Sequence, residues 1–452
     1  MKALAQPKNL TAGNPLTVLL TYSLPMFASM FFQQAYNLAD SWIAGNWVGA
    51  VSLGAVGTCY PITVFCIAIA SGLSMGTSIY CSQQFGASAA DEVRIGITTS
   101  LLAFLPLSFV LMILGLMASS GILSLFSVPT EAWLPTEQYL RIYLAGLPFL
   151  FLYNITTGIL NGLGDSKTPL LFLIASSLMN IVLDLVLVIF LPLGISGLAL
   201  ATLLSQAAAA IATFFAVWRL AARLQGEERA PLFSRRVLTA ILHLGIPSVI
   251  QHAFMSTGQM VLQNVINSYG IIVMAGYSVA FRINGIYVNS NMALSNALSG
   301  FIAQNKGAGD SGRIRQGYRL SLLLTGLFSL LTVVLLLTCG RTILSFFIGE
   351  DPAKAEIVEA GMGFFRIVVP FYLMVFLKII SDGALRGIGH MNAFMCATIL
   401  DVLVRIFLGP VFSRRWGIQG VWWIWPVAWL VGTSISVGAW IWGSRGFRKT
   451  EH

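Results

Sequence analysis

Apolar runs of roughly 20 residues or more recur along the whole chain, separated by short polar segments. Coiled as a helix, a run of that length spans the roughly 30 Å hydrocarbon core of a bilayer. Scanning gives about twelve such runs, from roughly 16–43 at the start through 390–411 to 418–443 at the end. They are too long for barrel strands and lack sustained two-residue alternation, so β structure is excluded. Composition agrees: 57% of the 452 residues are hydrophobic and only 10% charged. Soluble domains carry about 25% charged residues, and the charge here is too sparse to coat a water-soluble globule. The expected fold is an all-α integral membrane protein of about twelve transmembrane helices.

The charge that remains lies mostly between runs. Formal net charge is +9, yet the basic residues sit in short loops, where positive-inside topology explains them and no nucleic-acid partner is needed. Most of the 26 Lys and Arg fall on one side, including Lys2, Lys8, Arg94, Lys167, Arg219, Arg223, Arg229, Arg235, Arg236, Lys306, Arg313, Arg386, Arg445, Arg448 and Lys449. Arg141, Arg341, Lys354, Arg414 and Arg415 fall on the other. Both termini and the central loop are therefore expected in the cytoplasm. The first run is longer than a cleavable signal core and reads as a retained span.

The sequence repeats itself at an offset of about 221 to 225 residues. Leu160-Asn161-Gly162-Leu163-Gly164 meets Leu385-Arg386-Gly387-Ile388-Gly389, Pro148-Phe149 meets Pro370-Phe371, Pro25 meets Pro247, and Gly194-Ile195-Ser196-Gly197 meets Gly417-Ile418-Gln419-Gly420. Ordered matches at nearly one offset mean duplication. The division predicted is a six-helix lobe over 1–218, a basic cytoplasmic linker over 219–236 and a second six-helix lobe over 237–452. An even number of spans per half relates the lobes by a pseudo-two-fold axis along the membrane normal.

Soluble-enzyme chemistry has little to stand on. Cys59, Cys66, Cys81, Cys339 and Cys396 form no CxxC pair, and His243, His252, His390 and His452 show no metal-ligand spacing. No phosphate-cradling glycine loop followed by Lys and Ser or Thr is present, so nucleotide hydrolysis is not the expected energy source and no organic cofactor or structural metal is expected.

Charges inside the spans carry the functional signal, because each costs at least about 2.5–3.5 kcal/mol unless paired or used. In the second half Lys378 and Asp382 are four residues apart, as are Asp401 and Arg405, so each acid shares a helix face with a base. Internal ion pairs are expected there. Arg282 and Arg366 lie toward span ends, where long side chains snorkel. In the first half Asp40 and Asp184 have no Lys or Arg within any of the six spans away from their ends. Burial then favours the protonated acid, or a small cation bound between the carboxylates. Either links ion occupancy to conformation.

Oxygen and amide groups cluster on the same helices. Asn180 stands one turn before Asp184, and Gln33, Asn37 and Asp40 share a face of the first span. Asn154 and Thr202 add to the candidate cation or proton site, which offers the hard oxygens that Na+ prefers. Pro25 is a candidate hinge in the same helix as Asp40. Met26, Met30, Tyr36 and Asn37 are candidates for lining a substrate cavity. Trp422, Trp423, Trp425 and Trp429 read as an interfacial belt.

The stretch Gln33-Gln34-Ala35-Tyr36-Asn37-Leu38-Ala39-Asp40-Ser41-Trp42-Ile43-Ala44-Gly45, followed by Leu53-Gly54-Ala55, resembles the first-span signature of multidrug and toxic compound extrusion (MATE) transporters, and is closest to their prokaryotic DinF-like branch. Gly162-Leu163-Gly164-Asp165-Ser166-Lys167-Thr168-Pro169 resembles that family's cytoplasmic loop motif, with a partial copy at Gly387-Ile388-Gly389. The resemblance implies two six-helix lobes in a V and exchange of amphipathic, often cationic compounds for Na+ or H+. It maps a first-lobe cation site to Asp40, Asn180, Asp184 and Thr202, with Asn154 and Gln33 adjacent, and no coupling carboxylate in the second lobe. Asn161 departs from a basic residue common in the family, and Arg386 holds the equivalent place in the second half. That difference is expected to affect cytoplasmic loop contacts.

The function expected is thus a monomeric, cation-coupled efflux antiporter of the bacterial cytoplasmic membrane, whose partners are small molecules and the bilayer. A lipid-linked saccharide flippase is the alternative within transport and needs a cavity rich in cations. An intramembrane aspartyl enzyme built on Asp40 and Asp184 is a remote one, since its usual sequence settings around the two acids are missing.

Overall fold

The structure, a computed structural model, describes residues 7–48, 50–126, 128–224, 231–348 and 352–445, without the side chains of residues 37, 41 and 50–53. Lys2, Arg229, Arg448 and Lys449 lie outside the described residues, as does the side chain of Asn37. Thirteen α-helices and no strand occur among the described residues. They are α1 (Pro15–Ile43), α2 (Ala50–Gly86), α3 (Ala90–Leu125), α4 (Thr130–Ala145), α5 (Leu147–Gly162), α6 (Lys167–Asp184), α7 (Gly194–Ala221), α8 (Arg235–Asn267), α9 (Ile271–Gly307), α10 (Ser311–Ile348), α11 (Lys354–Val368), α12 (Tyr372–Ile388) and α13 (Met391–Ser444).

Among the described residues ten helices, α11 and α12 counting as one, are long and apolar enough to cross a membrane, or eleven when α4 and α5, bent by 45° at their junction, count as one span. The remaining span is inside α13. Its 54 residues would stretch about 80 Å as one rod, far beyond one bilayer crossing. Gly417 breaks it with φ 59° and ψ −147°, so the described helices supply the twelve crossings expected.

Helix starts follow local chemistry. Asn14 Oδ1 accepts the Leu16 amide at 2.9 Å at the head of α1. At the head of α6, Asp165 Oδ1 accepts the Lys167 and Thr168 amides at 3.1 and 3.0 Å, and its Oδ2 accepts the Thr168 hydroxyl at 2.6 Å. These acceptors satisfy amides that have no partner within a first helical turn. The preceding turn needs Gly164 at φ +82°, where a Cβ would meet the Lys8 carbonyl at 2.2 Å. Lys8 also donates its amide to the Leu163 carbonyl at 2.9 Å. Its ammonium is held below the ordinary lysine value by partial burial and by the nearby Lys167.

The helices form two compact units, one of Leu20–Val249 with the residues up to Ala12 and one of Ile250–His452 with Gly13–Leu19. Packing thus draws the division inside α8. On α2, Gly72 and Gly76 let the head of α8 approach so closely that a Cβ on Gly76 would lie 2.4 Å from the Ile241 carbonyl.

In the first unit α2 packs on α5, and α5 and α6 on α7. In the second α9 packs on α12, and α12 on α13. The two crossings of the repeat share one detail. Ser74 Oγ donates to the Asn154 carbonyl at 2.6 Å, beside Gly158, where a Cβ would lie 2.7 Å from the Ser74 carbonyl oxygen. Ser295 Oγ donates to the Ile379 carbonyl at 2.6 Å, beside Gly383, where a Cβ would lie 2.4 Å from the Ser295 carbonyl oxygen.

The second unit has an aromatic core. Tyr287 stacks on Tyr372 with ring centroids 3.9 Å apart, and Tyr277 stacks on Trp422 at 5.4 Å. Trp422, Trp425 and Trp429 belong to this core, which corrects the reading of an interfacial belt. Their spacing of three and four residues places them on one face turned inward, and only Trp423 of the four is exposed.

Candidate functional site

The first unit gathers its polar groups where α1, α6 and α7 meet. With the Asn180 amide oriented so that its nitrogen faces the acids, Nδ2 donates to Asp40 Oδ1 at 2.8 Å and to Asp184 Oδ2 at 3.3 Å. Its Oδ1 accepts the Thr202 amide at 3.2 Å. Asn180 thus bridges the two carboxyl groups, and Tyr36 lies beside Asp40. Tyr36 lies beside Thr202 as well.

Asp184 is fully buried and Asn180 is 1% exposed, whereas Asp40 is half-buried. The other Asp184 oxygen, Oδ1, is sealed and has no hydrogen-bond partner. Among the described residues neither acid forms an ion pair with Lys or Arg. The pair therefore has one shared amide against two carboxyl groups, and a full double charge would be uncompensated.

Both acids stand beside breaks in regular helix. Asp184 closes α6 and is followed by a π-helical turn at Leu185–Phe190, and α1 passes into another at Ala44–Val48. The two turns touch. Ile43, Ala44, Val188 and Leu198 form an apolar cluster there. Such turns release backbone groups and recur at functional positions.

Of the expected site residues, Asp40, Asn180, Asp184 and Thr202 thus share one hydrogen-bonded cluster. Gln33 is exposed; seven residues before Asp40, it stands about 10 Å along the helix axis. Asn154 turns its Nδ2 to the Leu150 carbonyl of its own helix at 2.8 Å. Of the proposed cavity residues, Tyr36 lies beside Asp40, while Met26 and Met30 are half-buried on α1. Pro25 is buried inside α1, where its carbonyl accepts the Ser29 hydroxyl at 2.9 Å. Tyr139 was not anticipated; it lies close enough to feel both acids electrostatically, and lines a small pocket with Thr202.

In the second unit Lys378 Nζ donates to Asp382 Oδ2 at 2.7 Å, and an Arg405 terminal nitrogen donates to Asp401 Oδ2 at 2.9 Å. Arg282 and Arg366 are exposed, and Arg366 is paired with Glu359 at 2.7 Å. Arg386 differs from expectation. Assigned to a cytoplasmic loop from sequence, it lies inside α12, 5% exposed, and donates to Ser295 Oγ and Asn296 Oδ1, both at 3.0 Å. The close approach of α9 at Gly383 draws this end of α12 into the bundle.

Comparison with known proteins agrees with this architecture. The MatE family model matches residues 25–186 and 247–411, one stretch in each half of the repeat. The probable multidrug resistance protein YpnP of Bacillus subtilis (strain 168) is 30% identical over 417 residues, covering 91% of each chain. An FAD transporter of Shewanella oneidensis is 27% identical over 425 residues, 89% of each chain. Among solved structures, a MATE in the bent conformation superimposes with a TM-score of 0.90 at 24% identity over 98% of each chain. A MOP superfamily transporter from Pyrococcus furiosus gives 0.88 at 24% identity over 99%. Twelve crossings, a duplicated bundle and a family match in both halves lead to one conclusion: this chain belongs to the MatE family.

Proposed function

We propose that the protein is a cation-coupled efflux antiporter of the bacterial cytoplasmic membrane, with both termini in the cytoplasm, exporting amphipathic compounds, many of them cationic, in exchange for H+ or Na+. The observation that carries this reading is the hydrogen-bonded Asp40–Asn180–Asp184 cluster, which has no ion pair to Lys or Arg among the described residues. A proton or Na+ arriving at Asp40 and Asp184 neutralises the pair and lets α1 and α6 close; when the ion leaves, repulsion reopens them. Substrate affinity differs between the two states, which makes the exchange directional. Pro25 removes one hydrogen bond from α1 and supplies the hinge. The protein works as a monomer, with no cofactor beyond the coupling ion.

Relatives named for multidrug resistance and for FAD transport support export, and leave the charge of the substrate open. The flippase alternative asks for a strongly cationic cavity. Two of the three cations around the second-lobe cavity are neutralised by Asp382 and Asp401, which leaves too little charge for a pyrophosphate.

The test is a proteoliposome assay that imposes Na+ and pH gradients separately while following efflux of a cationic dye. One gradient should drive the wild-type protein, and Asp40→Asn should transport poorly. Equal gradient-driven flux in both proteins would remove Asp40 from the mechanism.

A further inference from the structure

The second unit holds a partly open cavity of about 180 Å3 whose walls carry Lys378, Arg386 and Arg405 against Asp382 and Asp401. Two cations are matched by the two acids. Arg386 is left over: it is 95% buried, its terminal nitrogen reaches only the neutral Ser295 and Asn296, and its Nε has no acceptor. The imbalance extends to hydrogen bonding. Arg405 Nε and Trp425 Nε1, from two more wall residues, are sealed donors without an acceptor, while Asp401 Oδ1 is the only sealed acceptor without a donor among the described wall residues. The wall is therefore short of both negative charge and acceptors, and an anionic oxygen group supplies both.

Aromatic surface lies beside the charge. Arg405 stacks over Trp425 at 4.3 Å, Arg386 over Phe394 at 5.3 Å, and Trp429 packs edge-on against Trp425. We propose that this second-lobe cavity binds the anionic group, a carboxylate, sulfonate or phosphate, of an amphipathic aromatic substrate. Arg386 provides the free positive charge and the Trp425–Trp429 wall takes the ring. The proposal rests on the efflux reading for its purpose, and its binding test is independent of it.

Two xanthene dyes of similar shape and opposite charge, fluorescein and rhodamine 123, serve as probes, with anisotropy read on the purified full-length protein in phosphatidylcholine nanodiscs. Fluorescein should bind saturably. Arg386→Gln should weaken it at least about tenfold and shift rhodamine 123 less than about twofold. Because Arg386 also bonds Ser295 and Asn296, a second variant, Asn289→Asp, adds one negative charge to the wall without removing those bonds, and should weaken fluorescein in the same direction. Absence of fluorescein binding, or binding unchanged in both variants, overturns the proposal.

A lipid headgroup carries the same anionic chemistry. At high salt, where bilayer surface charge is screened, fluorescein affinity should be equal in phosphatidylcholine and phosphatidylglycerol nanodiscs; loss in phosphatidylglycerol would assign the site to lipid and overturn the aromatic substrate. Binding is read in nanodiscs with no ion gradient and no flux, so a failure of gradient-driven transport and a failure of anion binding are read separately.

Discussion

Asn180 donates to Asp40 Oδ1 at 2.8 Å while its own carbonyl oxygen accepts the Thr202 amide at 3.2 Å, so one side chain ties α1, α6 and α7 together at the acid pair. Asn180→Leu keeps the branched shape and removes all three of its side-chain bonds. Gradient-driven flux should fall about 10- to 100-fold, the usual consequence of losing a group that orients ion ligands. Flux within about twofold of wild type, at equal reconstitution, would take the amide out of the site.

Asp184→Asn separates activity from stability. Removing the fully buried member of two neighbouring, mutually repelling carboxyl groups relieves a cost that folding otherwise bears, so the detergent melting temperature should hold or rise while gradient-driven efflux is lost. A melting temperature lowered by several degrees would mean that the Asp184 carboxylate supports the fold instead of straining it.

Lys378→Met leaves Asp382 buried with its charge unpaired. Loss of one partner of such a pair costs about 3–5 kcal/mol, and both side chains here are 10% exposed. Melting of Lys378→Met should therefore fall sharply and be largely restored in Lys378→Met/Asp382→Leu. If the double variant is as unstable as the single one, the pair is not the source of the loss.

Gly383→Ala places a methyl group 2.4 Å from the Ser295 carbonyl oxygen, against backbone that has nowhere to go. Destabilisation of about 1–3 kcal/mol is expected from such overpacking. Gly438→Ala, with open space around its Cβ position, should be neutral or stabilise by up to about 1 kcal/mol. Thermal denaturation of the two variants side by side checks the crossing; equal stability would show that α9 and α12 separate at little cost.

Charge accounting made the fold and the acid pair legible in the sequence, because a lipid-embedded chain leaves few charged positions and each must be explained. Spacing along one helix was less informative. Gln33 shares a face with Asp40 but lies two turns away, and Asn154 is satisfied by its own helix, and neither fact is visible without the packing of neighbouring helices. Arg386 was misread for a related reason. A hydropathy scan trims spans at charged ends, and nothing local to Arg386 reports that α9 closes over it. The π-helical turns beside Asp40 and Asp184 left no trace in hydropathy, since Leu185–Phe190 is as apolar as any helical stretch. The three buried tryptophans of α13 were misread as an interfacial belt from residue type, although their spacing of three and four residues marks one inward face.

The matching turns at Gly164 and Gly389, with φ +82° and +79°, and at Gly194 and Gly417, with φ +58° and +59°, show that the ancestral bundle's bends survived doubling intact. The furnishing of the two halves differs: one carries acids with no basic partner among the described residues, the other a buried guanidinium hydrogen-bonded only to neutral groups. Ionic preference is accordingly a property of a handful of replaceable side chains hung on an inherited skeleton. Tandem copies of either half, made by gene fusion, would keep every corner of that skeleton and lose the opposition of charge between its members.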